Sequence, residues 1–130
     1  MHATQPLYLR PMSNFVSAEQ AVSLVKSGQR VFVHGSAATP LVLMRALFAR
    51  ASELSNVELV SISTIGELDL QQPEVQRAFF MNSLFVSDNV REAVNGPHGD
   101  YVPVFLSEIP RLFDSVLPLD VALLHVSPPD

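Results

Sequence analysis

Short apolar runs separated by helical stretches constrain this chain more than any other feature. The runs are 31–33, 57–62, 83–86 and 121–126. Each is near-continuously apolar, as a strand buried on both faces requires. Strands alternating with helices predict a mostly parallel sheet covered on both sides. Right-handed crossovers then make a doubly wound α/β layer, similar to a Rossmann layer, the expected architecture. A fourth strand, 101–105, contains Pro103, which suits a strand end or a sheet edge. The run 121–126 suits a central strand, yet nothing follows to pair with it or cover it. On that ground the sequence reads as incomplete at its C-terminus.

The intervening helices carry their own signals. Ser17-Ala18-Glu19-Gln20 is a capping box. Ala18, Ala21, Leu24 and Val25 then share one helical face, and Gly28 is a C-terminal stop. A second helix is expected over 41–52. Leu41, Met44 and Phe48 share one side of it, and Leu43, Leu47 and Ala51 a neighbouring one, with Arg45 and Arg50 outside. Pro73 starts a short helix carrying Val75, Ala78 and Phe79. Asp88 caps a brief helix through Val94, ended by Asn95-Gly96-Pro97, and Ser107 caps another holding Ile109, Leu112 and Phe113. Residues 1–16 form an irregular lead-in with Pro6 and Pro11. Residues 17–130 form one α/β domain.

Composition excludes several function classes. With 48% apolar residues in 130, the chain has enough for a core, which argues against disorder. No apolar run reaches the roughly 18 residues of a membrane span. The N-terminus lacks the basic and apolar regions of a signal peptide. There is no cysteine, so disulfides, thiolate metal sites and cysteine nucleophiles are absent together. The net charge is −5 without a Lys/Arg cluster, so no nucleic-acid partner is expected. A cytoplasmic location is the default reading.

The candidate site is the turn after the first strand: Gly35, Ser36, Ala37, Ala38 and Thr39, running into Pro40. Small side chains let a ligand reach the main chain. Thr39 is expected to cap the following helix and Pro40 to take its first position. The helix start offers free N–H groups and the positive end of the helix dipole to an anion or a developing oxyanion. The turn has no second or third glycine for a dinucleotide fingerprint and no Gly-Lys-Ser/Thr ending for a P-loop. Ser36 lacks the Gly-x-Ser-x-Gly setting of a nucleophile elbow. His34 and His125 both end strands and are expected at one rim, while His98 lies in a solvated turn. No histidines fall at metal-ligand spacing, so no metal site is expected. Glu108 sits in a first helical turn, where a carboxylate complements the dipole. Glu67 and Asp69 read as surface charges.

Several ordered segments together resemble the acetyl-CoA hydrolase/transferase family, which includes acetate/succinyl-CoA and 4-hydroxybutyrate CoA-transferases. They are Ser17-Ala18-Glu19-Gln20-Ala21-Val22, Arg30-Val31-Phe32-Val33 with Gly35-Ser36-Ala37-Ala38-Thr39-Pro40, Asn56-Val57-Glu58-Leu59, and Asn89-Val90-Arg91-Glu92-Ala93-Val94-Asn95. The most specific is Asp100-Tyr101-Val102-Pro103-Val104-Phe105-Leu106-Ser107-Glu108-Ile109-Pro110, continuing to Leu117-Pro118-Leu119-Asp120-Val121-Ala122 and Val126-Ser127-Pro128-Pro129-Asp130.

The resemblance implies the N-terminal portion of a subunit with two related α/β domains. It implies transfer through a glutamate carboxylate, by way of an acyl anhydride and a glutamyl-CoA thioester. That glutamate belongs to the C-terminal half, so neither Glu92 nor Glu108 takes the role, and no catalytic residue is assigned in this chain. The 35–39 turn would line the active site and supply main-chain donors. Related turns are richer in glycine, whereas His34 and Ser36 here carry side chains. Implied substrates are an acyl-CoA and a small carboxylate, with no tightly bound cofactor. Implied partners are the C-terminal domain and, in the complete protein, a second copy in a homodimer. The alternatives are an acetyl-CoA hydrolase and a non-enzymatic α/β module that binds a ligand or a partner chain.

Overall fold

The first strand, β1 (Arg30–Val33), is paired on both sides. In the computed structural model, which describes residues 15–128, it runs parallel to β2 (Val57–Ser61) and to β5 (Val121–Leu123). Beyond β2 lie β3 (Phe79–Ser83) and β4 (Gly99–Tyr101), giving the order β4-β3-β2-β1-β5 with every pairing parallel. Most of the irregular lead-in and the final Pro129-Asp130 lie outside the described residues.

This order sets the layers. From β1 to β4 the chain steps one way, so right-handed crossovers stack their helices on one face. These are α2 (Leu41–Phe48), α3 (Pro73–Ala78) and α4 (Arg91–Asn95), joined by the opening α1 (Ala18–Val22). Val31, Val33, Leu59, Met81 and Leu123 point into that core with Val22, Met44, Leu47 and Val75. The step from β4 back to β5 reverses direction and carries α5 (Ile109–Ser115) to the opposite face. There Val60, Leu84 and Ile109 form a smaller core, and the Phe32 and Phe113 rings meet edge-on at 5.5 Å. The sheet is therefore doubly wound and covered by helices on both faces.

α1 opens with the expected capping box. Gln20 N–H donates to Ser17 Oγ and Ser17 N–H to Gln20 Oε1, each at 3.1 Å. Glu19, in the same turn, has its carboxyl held below the usual carboxylate range by its own main-chain N–H and then by the Ser17 hydroxyl. The helix ends earlier than expected, at Val22; Val22 and the following Val25 are buried, while Leu24 is exposed. Arg50 explains part of this. Its Nη1 donates to the carbonyls of Val22 and Val25, at 2.5 and 3.0 Å, and so caps the helix end. In α2, Met44 and Leu47 are fully buried as the periodicity predicts. α2 stops at Phe48, and a 3₁₀ turn, Ala51–Glu53, follows.

Other local expectations shift. The third strand is 79–83 rather than 83–86, because Met81, Asn82 and Ser83 pair with Leu59, Val60 and Ser61 despite their polar members. Bonding to the second strand's side still continues further, since Leu84 and Phe85 N–H donate to Ser61 and Ile62 carbonyls at 2.9 Å. The fourth strand is 99–101 rather than 101–105. Val102 N–H makes one more bond to Ser83, and Pro103 has no N–H to continue the ladder. Neither Asp88 nor Ser107 caps a helix with its side chain: each lies in a 3₁₀ turn, Asp88–Val90 and Leu106–Glu108, leading into α4 and α5. β5 sits at an edge of the described sheet, not at its centre, with Leu124 and Val126 exposed beyond it.

Polar groups tie the last strand to the first. Arg30 N–H donates to Asp120 Oδ2 at 2.8 Å, and Asp120 N–H returns to Arg30 O at 2.9 Å. The Arg30 guanidinium pairs with Glu58 at 2.6 Å and reaches Pro118 O at 3.1 Å. Glu58 also accepts from Asn82 Nδ2 at 2.8 Å. One row of side chains thus crosses from β3 to the approach of β5.

Burial makes an opposed pair of expectations. Leu59→Ala, at a fully buried position in the middle of the sheet, is expected to cost about 3 kcal/mol of unfolding free energy. Leu24→Ala, 72% exposed, is expected to change it by less than about 0.5 kcal/mol. Urea unfolding of both variants checks this.

Candidate functional site

β1 is the point where the strand order turns back, with β2 on one side and β5 on the other. Ligands of open parallel sheets bind outside the carboxyl ends of strands at such a point. The turn 35–39 leaves β1 at that end.

Its geometry follows from two small residues. At Gly35, an added Cβ would lie 2.8 Å from Ser63 O, so only glycine lets the neighbouring loop approach this closely. Ser36 then takes a left-handed backbone, φ 54°, and its N–H donates to Ser63 O at 2.6 Å. Ser36 and Thr64 form an isolated parallel bridge, an extra rung between the loops after β1 and β2. Ala38 N–H donates to Gly35 O and Thr39 N–H to Ser36 O, each at 3.1 Å, closing the turn.

Thr39 and Pro40 differ from expectation. α2 begins at Leu41 with Pro40 in the capping position, and the Thr39 hydroxyl does not cap it. Thr39 is buried, and its Oγ1 donates to Ser36 O at 2.7 Å while accepting from Ile65 N–H at 3.1 Å. The hydroxyl is spent on the turn and on the loop beside it.

The main-chain donors therefore divide. Those of Ser36, Ala38 and Thr39 are satisfied inside the turn or by Ser63. Among the described residues, the Ala37 N–H has no hydrogen-bond partner, and Ala37 is exposed. The Gly35 N–H also lacks a partner among the described residues but is half-buried. Chemically, the arrangement offers one exposed amide donor to an oxygen arriving from solvent.

The surroundings are formed by loops that the sequence reading passed over. Ser61 and Thr64 hydroxyls bond each other at 2.9 Å beneath the 62–66 loop. Ser87 Oγ donates to Thr64 O at 2.7 Å and Asn89 Nδ2 to Gly66 O at 3.1 Å, joining the loop after β3. The visible signal was the hydroxyl-rich Ser61-Ile62-Ser63-Thr64 after a strand. A groove of about 540 Å³ runs from Ala37 and Thr39 past Leu41 to Leu124 and His125. Another, of about 490 Å³, lies between 63–66 and 86–89. A third, of about 830 Å³, is set between α2 and 66–72 and brings Arg45, Glu67 and Asp69 to one opening.

The histidines separate. His34 and His125 do meet at one rim: His125 N–H donates to His34 Nδ1 at 3.3 Å, and His34 N–H to Leu123 O at 2.9 Å. His98 is half-buried rather than solvated, its carbonyl accepting from Met81 N–H at 2.9 Å. His2 lies outside the described residues. Glu108, Glu67 and Asp69 are exposed, and Ser36 makes no hydrogen bond to a base among the described residues. No group of three His, Asp or Glu among the described residues is placed to hold a metal ion.

The comparisons with known proteins bear on this geometry. The family model described as the acetyl-CoA hydrolase/transferase N-terminal domain matches residues 5–130. The chain is 38% identical over 117 residues to a succinyl-CoA:acetate/propanoyl-CoA:succinate CoA transferase of Fasciola hepatica, covering 88% of this chain and 24% of that protein. It is 38% identical over 116 residues to the 4-hydroxybutyrate coenzyme A transferase of Clostridium kluyveri, covering 88% and 27%. The chain thus spans about a quarter of the length of the curated relatives it matches. Among solved structures, RipA from Yersinia pestis superposes with a TM-score of 0.78 at 25% identity, covering 88% of this chain and 29% of RipA.

The close approach at Gly35 is open to test. Gly35→Ala places a methyl group against the Ser63 main chain, which has no flexible end to move aside. An overpacking cost of about 2 kcal/mol is expected in denaturant unfolding. Faster exchange of the Ser36 amide should accompany it.

Proposed function

The chain belongs to the acetyl-CoA hydrolase/transferase family, and on that premise we propose that it is the N-terminal part of an acyl-CoA:carboxylate CoA-transferase. The substrates are acetyl-CoA or acetate and a second small carboxylic acid. CoA enters as a thioester substrate, with no tightly bound cofactor.

Transfer runs through a glutamate carboxylate outside this chain. That carboxylate attacks the thioester carbonyl and expels the CoA thiolate, leaving an acyl anhydride. The thiolate then attacks the glutamyl carbonyl and releases the first acid, leaving a glutamyl-CoA thioester. One hard exchange becomes two easier ones. Each attack puts negative charge on a carbonyl oxygen. The role of Gly35, Ser36, Ala37, Ala38 and Thr39 is to bring a fixed main-chain donor to that oxygen. A single donor of this kind is worth roughly 3 kcal/mol of transition-state stabilisation.

The observation that carries the proposal is the exposed, unpartnered Ala37 N–H on a turn locked at the carboxyl end of β1. Placement at the switch point of the strand order supports it. The domain bearing the glutamate is the necessary partner, and the assembled protein works as a homodimer in the cytoplasm. If water takes the place of the acceptor acid, the same donor serves hydrolysis.

Two measurements test this on the 130-residue chain. Titrating the isotope-labelled chain with acetyl-CoA is expected to move the Ala37 amide resonance, with smaller changes at Ala38. An Ala37 amide unmoved at millimolar acetyl-CoA overturns the assignment. Incubation with acetyl-CoA and succinate is expected to give no succinyl-CoA and no free CoA. Robust turnover by this chain overturns the external glutamate, and its product distinguishes transfer from hydrolysis.

A further inference from the structure

We infer that Thr39 is a positioning residue, whose hydroxyl sets the direction of the Ala37 donor without touching substrate. This rests on the function proposed above and refines it: of the five turn residues, Thr39 acts from beneath.

The hydroxyl is both donor and acceptor. It donates to Ser36 O at 2.7 Å and accepts from Ile65 N–H at 3.1 Å, and the residue is 5% exposed. Ser36 O also receives Thr39 N–H at 3.1 Å, so one threonine fills both lone-pair directions of that carbonyl. The peptide that begins at Ser36 C=O ends at Ala37 N–H. The two groups share one plane and point in opposite senses. Fixing the carbonyl on Thr39 therefore fixes the direction of the Ala37 amide, whose residue is exposed. Ser36 stands at φ 54°, a region that a serine does not hold without support. Ser36 N–H to Ser63 O secures one side of that residue, and Thr39 secures the other.

The acceptor half of the clip joins the turn to the loop after β2. Ile65 N–H has no helix or strand to bond within, and Thr39 Oγ1 receives it. Thr64, one residue before, is held by Ser61 below and through its carbonyl by Ser87. The loops after β1, β2 and β3 are thus one hydrogen-bonded unit, with Thr39 at the joint nearest Ala37.

The test compares Thr39→Val, which keeps the shape and deletes the hydroxyl, with Thr39→Ser, which keeps the hydroxyl. Acetyl-CoA is the probe, and the Ala37 amide resonance is the readout. Thr39→Val is expected to weaken the response at Ala37 about tenfold, the equivalent of one lost hydrogen bond. Thr39→Ser is expected to stay within about twofold of wild type. A wild-type response that Thr39→Val leaves unchanged overturns this inference alone, as does equal impairment of both variants. An unresponsive wild type overturns the functional reading and this inference with it. If Thr39→Val does not fold, Ile65 amide exchange in wild type decides the matter. Protection there supports the clip, and free exchange overturns it.

Discussion

β1 carries parallel hydrogen bonds along both of its edges, and the remaining strands take their positions from that fact. A parallel neighbour cannot be reached by a hairpin, so each step needs a crossover over one face. Three steps in one direction put α2, α3 and α4 on one side, and the single return puts α5 on the other. The odd members of β1, Val31 and Val33, then meet the larger core, and Phe32 meets the smaller one. The reversal of strand order at β1 leaves the carboxyl end of that strand facing a crevice. No catalytic demand is needed to explain the crevice, because connectivity alone produces it.

Hydrogen-bond accounting converts the crevice into a site. A tight turn at the end of a strand has more main-chain donors than it can use, and each one left unmet where it is buried costs about 1–3 kcal/mol. Here Ser63, Gly35 and Ser36 carbonyls take three of the five amides, the Gly35 amide stays half-buried, and the Thr39 hydroxyl fixes the carbonyl behind that of Ala37. What is left over is a single exposed amide, held in place by groups that are all otherwise committed. A donor prepared in this way needs no rearrangement when charge appears beside it, which is the condition for electrostatic catalysis.

The parallel α/β class, the capping box at Ser17 and the buried Met44–Leu47 side of α2 were legible in the sequence, because each depends on local periodicity or a local hydrogen bond. The third and fourth strands were not. The third was expected on the apolar Leu84-Phe85-Val86, yet the ladder with β2 selects Phe79 to Ser83, where Asn82 and Ser83 are buried by neighbours distant in sequence. Pro103 was read correctly as the mark of a strand end or sheet edge, since β4 is an edge strand that stops at Tyr101, but the strand itself lies two residues earlier than its apolar residues suggest. Thr39 shows the same principle at the site. From its neighbours it reads as a helix cap, and the N–H its hydroxyl accepts from, that of Ile65, lies 26 positions away.

The sequence alone therefore decided which segments are strands and helices in kind, that the sheet is parallel and wound on both faces, and that small residues occupy the turn after β1. Those properties are written in short-range patterns of apolar spacing, caps and side-chain size. Tertiary structure decided the register of β3 and β4, the edge position of β5, and which amide of the turn is left both unpartnered and exposed. Each of these depends on a partner brought in from another loop or strand. A chain read in order cannot say which carbonyl a given N–H will meet until the fold has placed them side by side.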